Sequence, residues 1–588
     1  MNGFTDLHVA LGRDAAAPTR ERLGNTWNSL AQGDEGVWIG AAVSDRSHPL
    51  TSASAGGWCL WANGPIFSYR DDEHQPLERF ADDVLAERAE PSRLDMHAVI
   101  FGWHGPSRRL SVWTDRMGTV HAYTGGRPGQ AAVGTFSLAV AERSSRELDW
   151  VGITGFCGFG FYPGDRTMFD DVRILRPATR SDFDDRGTLT RQTRYWDWWY
   201  DPDRSRSDDD FIDEFHDVWT RTVQRQLRGT RSVVPLSGGL DSRTLFAAAA
   251  PVRASVDHPV RTLTYGYSPK SVEIRIARKV ATARGHTAQE HVIQPYLFDR
   301  MSEVVDAVEG FGALSLTRQV SASDLIASLG DHVLGGHWGD VWFDTAGASS
   351  GSTSDPADAA YEKFAKRGRD WLFRNLCNTH LQAPPDEVLR QVLAEEFDRI
   401  PVLDDADMQL KALKTEQWSF RWTLASVRAY QLAVPTLMPF YANAVVDFFL
   451  RVPSERLPGR RLQTAYLRRH HPDLARITWQ DSGMSLYERP WEPTLALGRR
   501  ALAKGLRTLR REQVIERNWE VQYLGGSRPD RLQDLLRSSV PGTAGLSSTD
   551  VQGFIDTFLQ APDGAQGYAL DALLTLSRAR GSGTEPHR

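Results

Sequence analysis

Cysteine is almost missing from this chain. Its 588 residues include three, Cys59, Cys157 and Cys377, far apart. That excludes a disulfide scaffold and a cysteine zinc cluster, and fits a reducing cytosol. Strong charge of either sign is missing too. The 69 Lys and Arg against 75 Asp and Glu leave a net −6. No global basic field argues for nucleic acid as a partner. No apolar run approaches a membrane span, and no charged segment with an apolar core opens the chain. A cytoplasmic location is therefore expected. No internal repeat occurs, and a 41% hydrophobic content excludes disorder overall.

The length predicts two to four domains, and the composition allows a large core. The 19 tryptophans are many. They suit core packing, and equally a site that holds a large ligand.

Residues 1–200 read as β-rich. Short alternating runs recur at 36–43, 96–103 and 110–114, separated by glycine and polar turns. The spacing of Leu77, Phe80, Ala81, Val84 and Leu85 predicts a helix over 77–88. The polar stretch 201–210 predicts a boundary. Phe211, Phe215, Val218, Trp219, Val223 and Leu227 then share one helical face.

Next comes Val233-Val234-Pro235-Leu236-Ser237-Gly238-Gly239-Leu240-Asp241-Ser242-Arg243. It reads as an apolar strand, a glycine turn and the start of a helix. Such a turn points backbone N–H groups and a helix dipole at one spot, which is an anion site. Asp241 adds a carboxylate there. An acid beside phosphate is unfavourable unless a cation, most simply Mg²⁺, sits between them. No Gly-Lys-Ser/Thr follows, so this is not a Walker A loop.

Strands at 261–267 and 291–293 flank a helix over 273–284, which implies a parallel sheet with ligands at its C-terminal edge. A second glycine cluster, His332-Val333-Leu334-Gly335-Gly336-His337-Trp338-Gly339-Asp340, again ends a strand and is followed by an acid. His337 is either a structural histidine or a general base. The Ser-, Gly- and Asp-rich stretch 346–358 predicts a loop over the site. Residues 361–430 read as largely helical. A basic helix over 499–511, an apolar face of Val551, Phe554, Ile555 and Phe558, and a disordered tail over 581–588 close the chain.

The Ser237–Ser242 stretch resembles the PP-loop of ATP pyrophosphatases. With Asp115-Arg116-Met117-Gly118, residues 167–177, Gly335–Asp340 and Leu437–Phe448, the chain resembles asparagine synthetases over about 90–490. The resemblance implies an α/β chain of two domains. Residues 1–205 would be an amidotransferase-like antiparallel β sandwich with flanking helices. Residues 206–580 would be a PP-loop synthetase domain with a parallel sheet and a helical C-terminal part. In glutamine-using members the mature chain begins with a cysteine. This one begins Met1-Asn2-Gly3-Phe4, so the first domain is expected to lack glutaminase chemistry and to serve as scaffold or partner-binding surface.

The resemblance further implies ATP and Mg²⁺ as cofactors, with Asp241 and Asp340 holding the metal and His337 beside them. Nucleotide contacts are expected from Leu236 to Ser242, at Tyr265 and Gly266 near the adenine, and at Gly335 and Gly336. The family's pyrophosphate-gripping lysine has no counterpart in Arg476–Met484, which leaves Arg468 or Arg476 as stand-ins. The implied reaction is adenylation of a carboxylate, then displacement of AMP by an amine. Among members without the thiol, lasso peptide cyclases fit best. Their substrate is a linear core peptide, and their partners a leader peptidase and a leader-binding protein. A β-lactam synthetase-like enzyme and a non-catalytic ATP-binding partner are the alternatives.

Overall fold

The structure is a computed structural model that describes residues 2–32, 36–251, 260–347, 356–487, 517–539 and 548–581. Its N-terminal strands are β1 (Thr5–Gly12), β2 (Asn28–Gln32), β3 (Val37–Val43), β4 (Thr51–Ala55), β5 (Trp58–Asn63), β6 (Ile66–Tyr69) and β7 (Leu94–Met96). They continue with β8 (Val99–His104), β9 (Arg109–Thr114), β10 (Tyr123–Arg127), β11 (Gln130–Gly134), β12 (Val172–Ile174), β13 (Thr179–Phe183) and β14 (Leu189–Arg194).

Two six-stranded sheets result, ordered β12-β10-β11-β1-β3-β2 and β14-β13-β9-β8-β5-β4. Alternation explains why they stack. Leu7, Val9 and Leu11 of β1 share a core with Phe101 of β8 and Val112 of β9. One residue in two faces the opposite sheet, which is what a strand's two-residue period provides. The helix Pro76–Leu85 covers the outer face of the second sheet through Leu77, Phe80, Ala81 and Val84.

Two expectations shift. The run 96–103 is broken between Met96 and Val99, where the His97 N–H turns to the Pro65 carbonyl (3.0 Å). The helix predicted to reach residue 88 stops at Leu85, because Glu87 adopts a left-handed φ of 54°.

The C-terminal half holds a five-stranded parallel sheet: β15 (Ser232–Pro235), β16 (Val260–Gly266), β17 (Ala288–Val292), β18 (His332–Leu334) and β19 (Thr436–Leu437), ordered β17-β16-β15-β18-β19. The chain moves outward from β15 through β16 to β17, then returns to place β18 on the other side of β15. The sheet therefore reverses direction between β15 and β18. A crevice opens at the C-terminal ends of strands at such a point, and both glycine turns lie there. β19 escaped the sequence reading because two residues carry no periodicity.

The helix Asp208–Leu227 leads into β15. A capping box between Ser207 and Asp210 starts it, and three aspartates in its first turn complement its dipole. Phe211, Phe215, Trp219 and Val223 are its buried face. The C-terminal helix Ser548–Gln560 buries Val551, Phe554, Ile555 and Phe558 as predicted. Most of the loop predicted at 346–358, the basic helix predicted at 499–511 and almost all of the tail lie outside the described residues. Among the described residues no helix is long and apolar enough to cross a membrane.

Buried ion pairs join the two halves. Arg22, 1% exposed, donates to Asp6 (2.9 Å) and to Glu309 (2.8 Å), and Glu309 also meets Arg428. A cavity of about 80 Å³ lies at this junction, lined by Thr5, Asn63, His97, Thr135, Thr436 and Met438 among others. Among the described residues no cysteine lines it.

Candidate active site

The first turn is braced by its own hydroxyls. The Ser237 N–H donates to Ser242 Oγ (3.1 Å), the two serine hydroxyls are 2.9 Å apart, and the Gly239 N–H donates to Ser237 Oγ (3.2 Å). The helix Leu240–Ala249 follows directly. Leu240 is fully buried and Leu236 nearly so, so both anchor the turn and offer a ligand backbone only.

The second turn lies against the first. A Cβ on Gly336 would come within 3.2 Å of the Ser242 nitrogen, and one on Gly339 within 3.0 Å of Asp241 Cγ and 2.8 Å of the Phe440 ring. Glycine at these two positions is what lets the β18 turn rest on the start of the β15 helix. The contact brings Asp340 to Asp241, whose carboxylate accepts the Asp340 backbone N–H.

Burial pushes the Asp241 carboxyl up to about 6, against the Arg460 guanidinium that lowers it and with the Asp340 charge that raises it further. Gln463 Nε2 donates to Asp241 Oδ1 at 2.9 Å and Arg460 Nη1 at 3.3 Å. The pair thus concentrates negative charge that protein donors only partly offset. Among the described residues no group of three His, Cys, Asp or Glu side chains gathers to hold a metal. Two carboxylates side by side still fit a hard divalent cation that takes its other oxygens from phosphate and water.

His337 is half-buried and its Nδ1 has no hydrogen-bond partner. Burial and the Arg318 charge bring its pKa down to about 4, partly opposed by Asp340. The imidazole is therefore neutral at pH 7, with a nitrogen free to accept a proton. Trp338 holds a left-handed φ of 78°, rare for a bulky residue, and is pinned by its indole N–H to Thr415 Oγ1 (3.3 Å).

Ser237, Gly238, Gly239, Asp241, Ser242, Gly335, Gly336, His337 and Asp340 are thus gathered in one crevice. Tyr265 stands beside it, its hydroxyl 2.8 Å from that of Tyr430, with the Arg318 guanidinium 5.3 Å above its ring. Gly266 faces its own following turn: a Cβ there would sit 3.0 Å from Ser271 Cβ.

Several residues at the site left no mark in the sequence. Arg243, fully buried, donates to the carbonyls of Leu474 (3.2 Å), Ile477 (2.8 Å) and Thr478 (2.8 Å). It ties that segment over the first turn, where the Gln480 N–H donates to the Gly238 carbonyl (3.1 Å). Among the described residues the cation paired with Asp241 is Arg460. Arg476 instead lies 5.8 Å above the Tyr487 ring. Burial lowers the Lys414 pKa, and the Asp340 charge opposes that.

A parallel sheet with two glycine turns and a carboxylate pair where its strand order reverses forms the kind of crevice in which α/β domains bind ligands. More narrowly, residues 214–470 match the family described as asparagine synthase, so this stretch is asparagine synthase-like, and the chemistry of that class is ATP-dependent amide formation. The matched stretch contains both turns. No curated protein matches the chain. Among solved structures, the allosteric regulatory enzyme of purine biosynthesis is 10% identical, with 50% of this chain and 75% of that one covered and a TM-score of 0.19. Glutamine phosphoribosylpyrophosphate amidotransferase from B. subtilis is 10% identical, with 50% and 76% covered and a TM-score of 0.18. Likeness this loose carries no argument about this chain.

Proposed function

We propose that this chain is an ATP-dependent lasso peptide cyclase. It adenylates an Asp or Glu side chain of a leader-free precursor peptide, then closes a macrolactam with the peptide's N-terminal amine. AMP and pyrophosphate leave. The observation that carries the reading is the meeting of Asp241 with Asp340 at the end of β15 and β18, beside a braced anion-binding turn.

The N-terminal end of the helix Leu240–Ala249, to which the turn leads, would receive phosphate oxygens. Asp241 and Asp340 would hold Mg²⁺, which supplies charge neutralisation for departing pyrophosphate. Arg460 and Lys414 add positive charge nearby. The substrate carboxylate oxygen attacks the α-phosphorus and the bond to pyrophosphate breaks, leaving an acyl-adenylate. The amine then adds to the acyl carbon, its proton passes to neutral His337, and AMP departs with the bonding pair.

The source of the amine decides the substrate. The described lining of the junction cavity includes no thiol to release ammonia from an amide, so the amine is free ammonia or part of the substrate, and the lasso reading takes the second. In this reading residues 1–205 form a scaffold on which a leader peptidase or leader-binding protein docks, residues 206–580 form the synthetase, and the protein works in the cytoplasm.

The test supplies leader-free linear peptides containing Asp or Glu with ATP and Mg²⁺. AMP and a product lighter by one water are expected. Amino-acid-dependent pyrophosphate release with all peptides inert would replace this reading with a small-molecule amide synthetase. Nucleotide binding without any pyrophosphate release would reduce the chain to a non-catalytic partner.

A further inference from the structure

Trp338 is one end of a series that leaves the site. The Lys414 ammonium lies 5.5 Å from the Trp338 ring and 5.5 Å from the Trp418 ring. The Lys366 ammonium lies 4.4 Å from Trp418 and 5.6 Å from Trp422. Rings and cations therefore alternate from the carboxylate pair to Gly160, where a Cβ would meet Lys366 Cε at 3.6 Å and Trp422 Cδ1 at 3.8 Å. The Lys366 backbone is fixed there by its N–H to the Gly158 carbonyl (2.8 Å).

Both lysines and the two outer tryptophans are half-buried. Among the described residues neither ammonium is paired with a carboxylate, whereas the neighbouring Lys411 reaches the Asp344 carbonyl (2.9 Å). Tryptophan faces attract cations, but they replace only part of the hydration lost. Burial accordingly lowers the pKa of both groups. A carboxylate is the partner that Lys366 lacks, whereas Lys414 has the Asp340 charge near it. The track is also long. It runs through four successive ring-to-cation contacts of 4.4–5.6 Å.

We propose that the Trp338–Lys414–Trp418–Lys366–Trp422 ladder is the track for an acidic segment of the peptide substrate, with Lys366 binding a carboxylate other than the reacting one. This rests on the synthetase reading of the neighbouring site. Lys366 lies at the outer end and takes no part in the chemistry.

Tryptophan fluorescence without ATP tests it. The probes are a short linear Gly/Ser/Phe peptide carrying Glu and its twin carrying Gln. Wild type is expected to bind the Glu peptide about fivefold tighter, the scale of one half-buried charge contact. Lys366→Met abolishes that preference and Lys366→Arg keeps it. Lys366→Gln serves where the methionine variant does not fold. Equal affinities in wild type, or a preference that survives loss of the Lys366 charge, overturn the proposal. Binding with preference but no AMP on adding ATP and Mg²⁺ leaves the track standing and removes the ligase reading. AMP formation with no Glu preference does the reverse.

Discussion

Asp241→Asn separates the price of the carboxylate pair from its use. The folded protein holds the Asp241 carboxyl near 6, against 3.8 when unfolded. A group whose pKa is raised by folding favours the folded state only while protonated. Its contribution is complete below about pH 4 and is lost as pH rises through about 6. Above that the ionised group destabilises the fold by about 3 kcal/mol, the free-energy equivalent of moving its pKa from 3.8 to about 6. The carboxylate is 22% exposed, so screening removes little of this. Asparagine keeps an acceptor for Gln463 and Arg460. The variant should therefore be more stable than wild type at pH 8 by about 2–3 kcal/mol, by about half that at pH 5, and by nearly nothing at pH 4. Denaturant unfolding at the three pH values reads this directly. The same variant should gain nothing from ATP with Mg²⁺, which should stabilise wild type. A variant less stable than wild type at pH 8, or a difference independent of pH, would refute the electrostatic reasoning.

Other variants probe the scaffold. Gly339→Ala drives a Cβ to 2.8 Å from the Phe440 ring and 3.0 Å from Asp241. It should cost about 1–3 kcal/mol in unfolding experiments and separate the two turns, lowering adenylation with it. Arg243→Met removes three carbonyl partners from 474–478. Hydrogen exchange should speed up in that segment, at a stability cost of about 2–4 kcal/mol. Arg22→Met leaves Asp6 and Glu309 buried without their shared cation. A loss of about 3 kcal/mol is expected by denaturant unfolding.

The two turns and their acids were legible because each is a local pattern: an apolar strand, glycines, then an acid at the helix start. So was the division into antiparallel and parallel halves, since strand alternation and strand–helix alternation differ over short windows. The partners of the site were not. Arg460 is 219 residues from Asp241, and Arg243 is 231 from Leu474. No local pattern marks either. The loop without lysine drew attention to Arg468 and Arg476, and folding also brings Arg460 and Lys414 near the acids from outside that loop. Gly266 reads as space for a ligand, and a Cβ there would meet Ser271 of the turn that follows. Trp338 hides its role for a similar reason: only its left-handed φ distinguishes it from the other tryptophans.

The central claim is that Asp241 and Asp340 together serve adenylation of a carboxylate. ATP–pyrophosphate exchange with Asp- or Glu-containing linear peptides measures that step alone. Peptide-dependent exchange, with AMP as the nucleotide product, is predicted for wild type and should vanish in Asp241→Asn and in Asp340→Asn singly. Release of ADP, or exchange that survives either substitution, would contradict it.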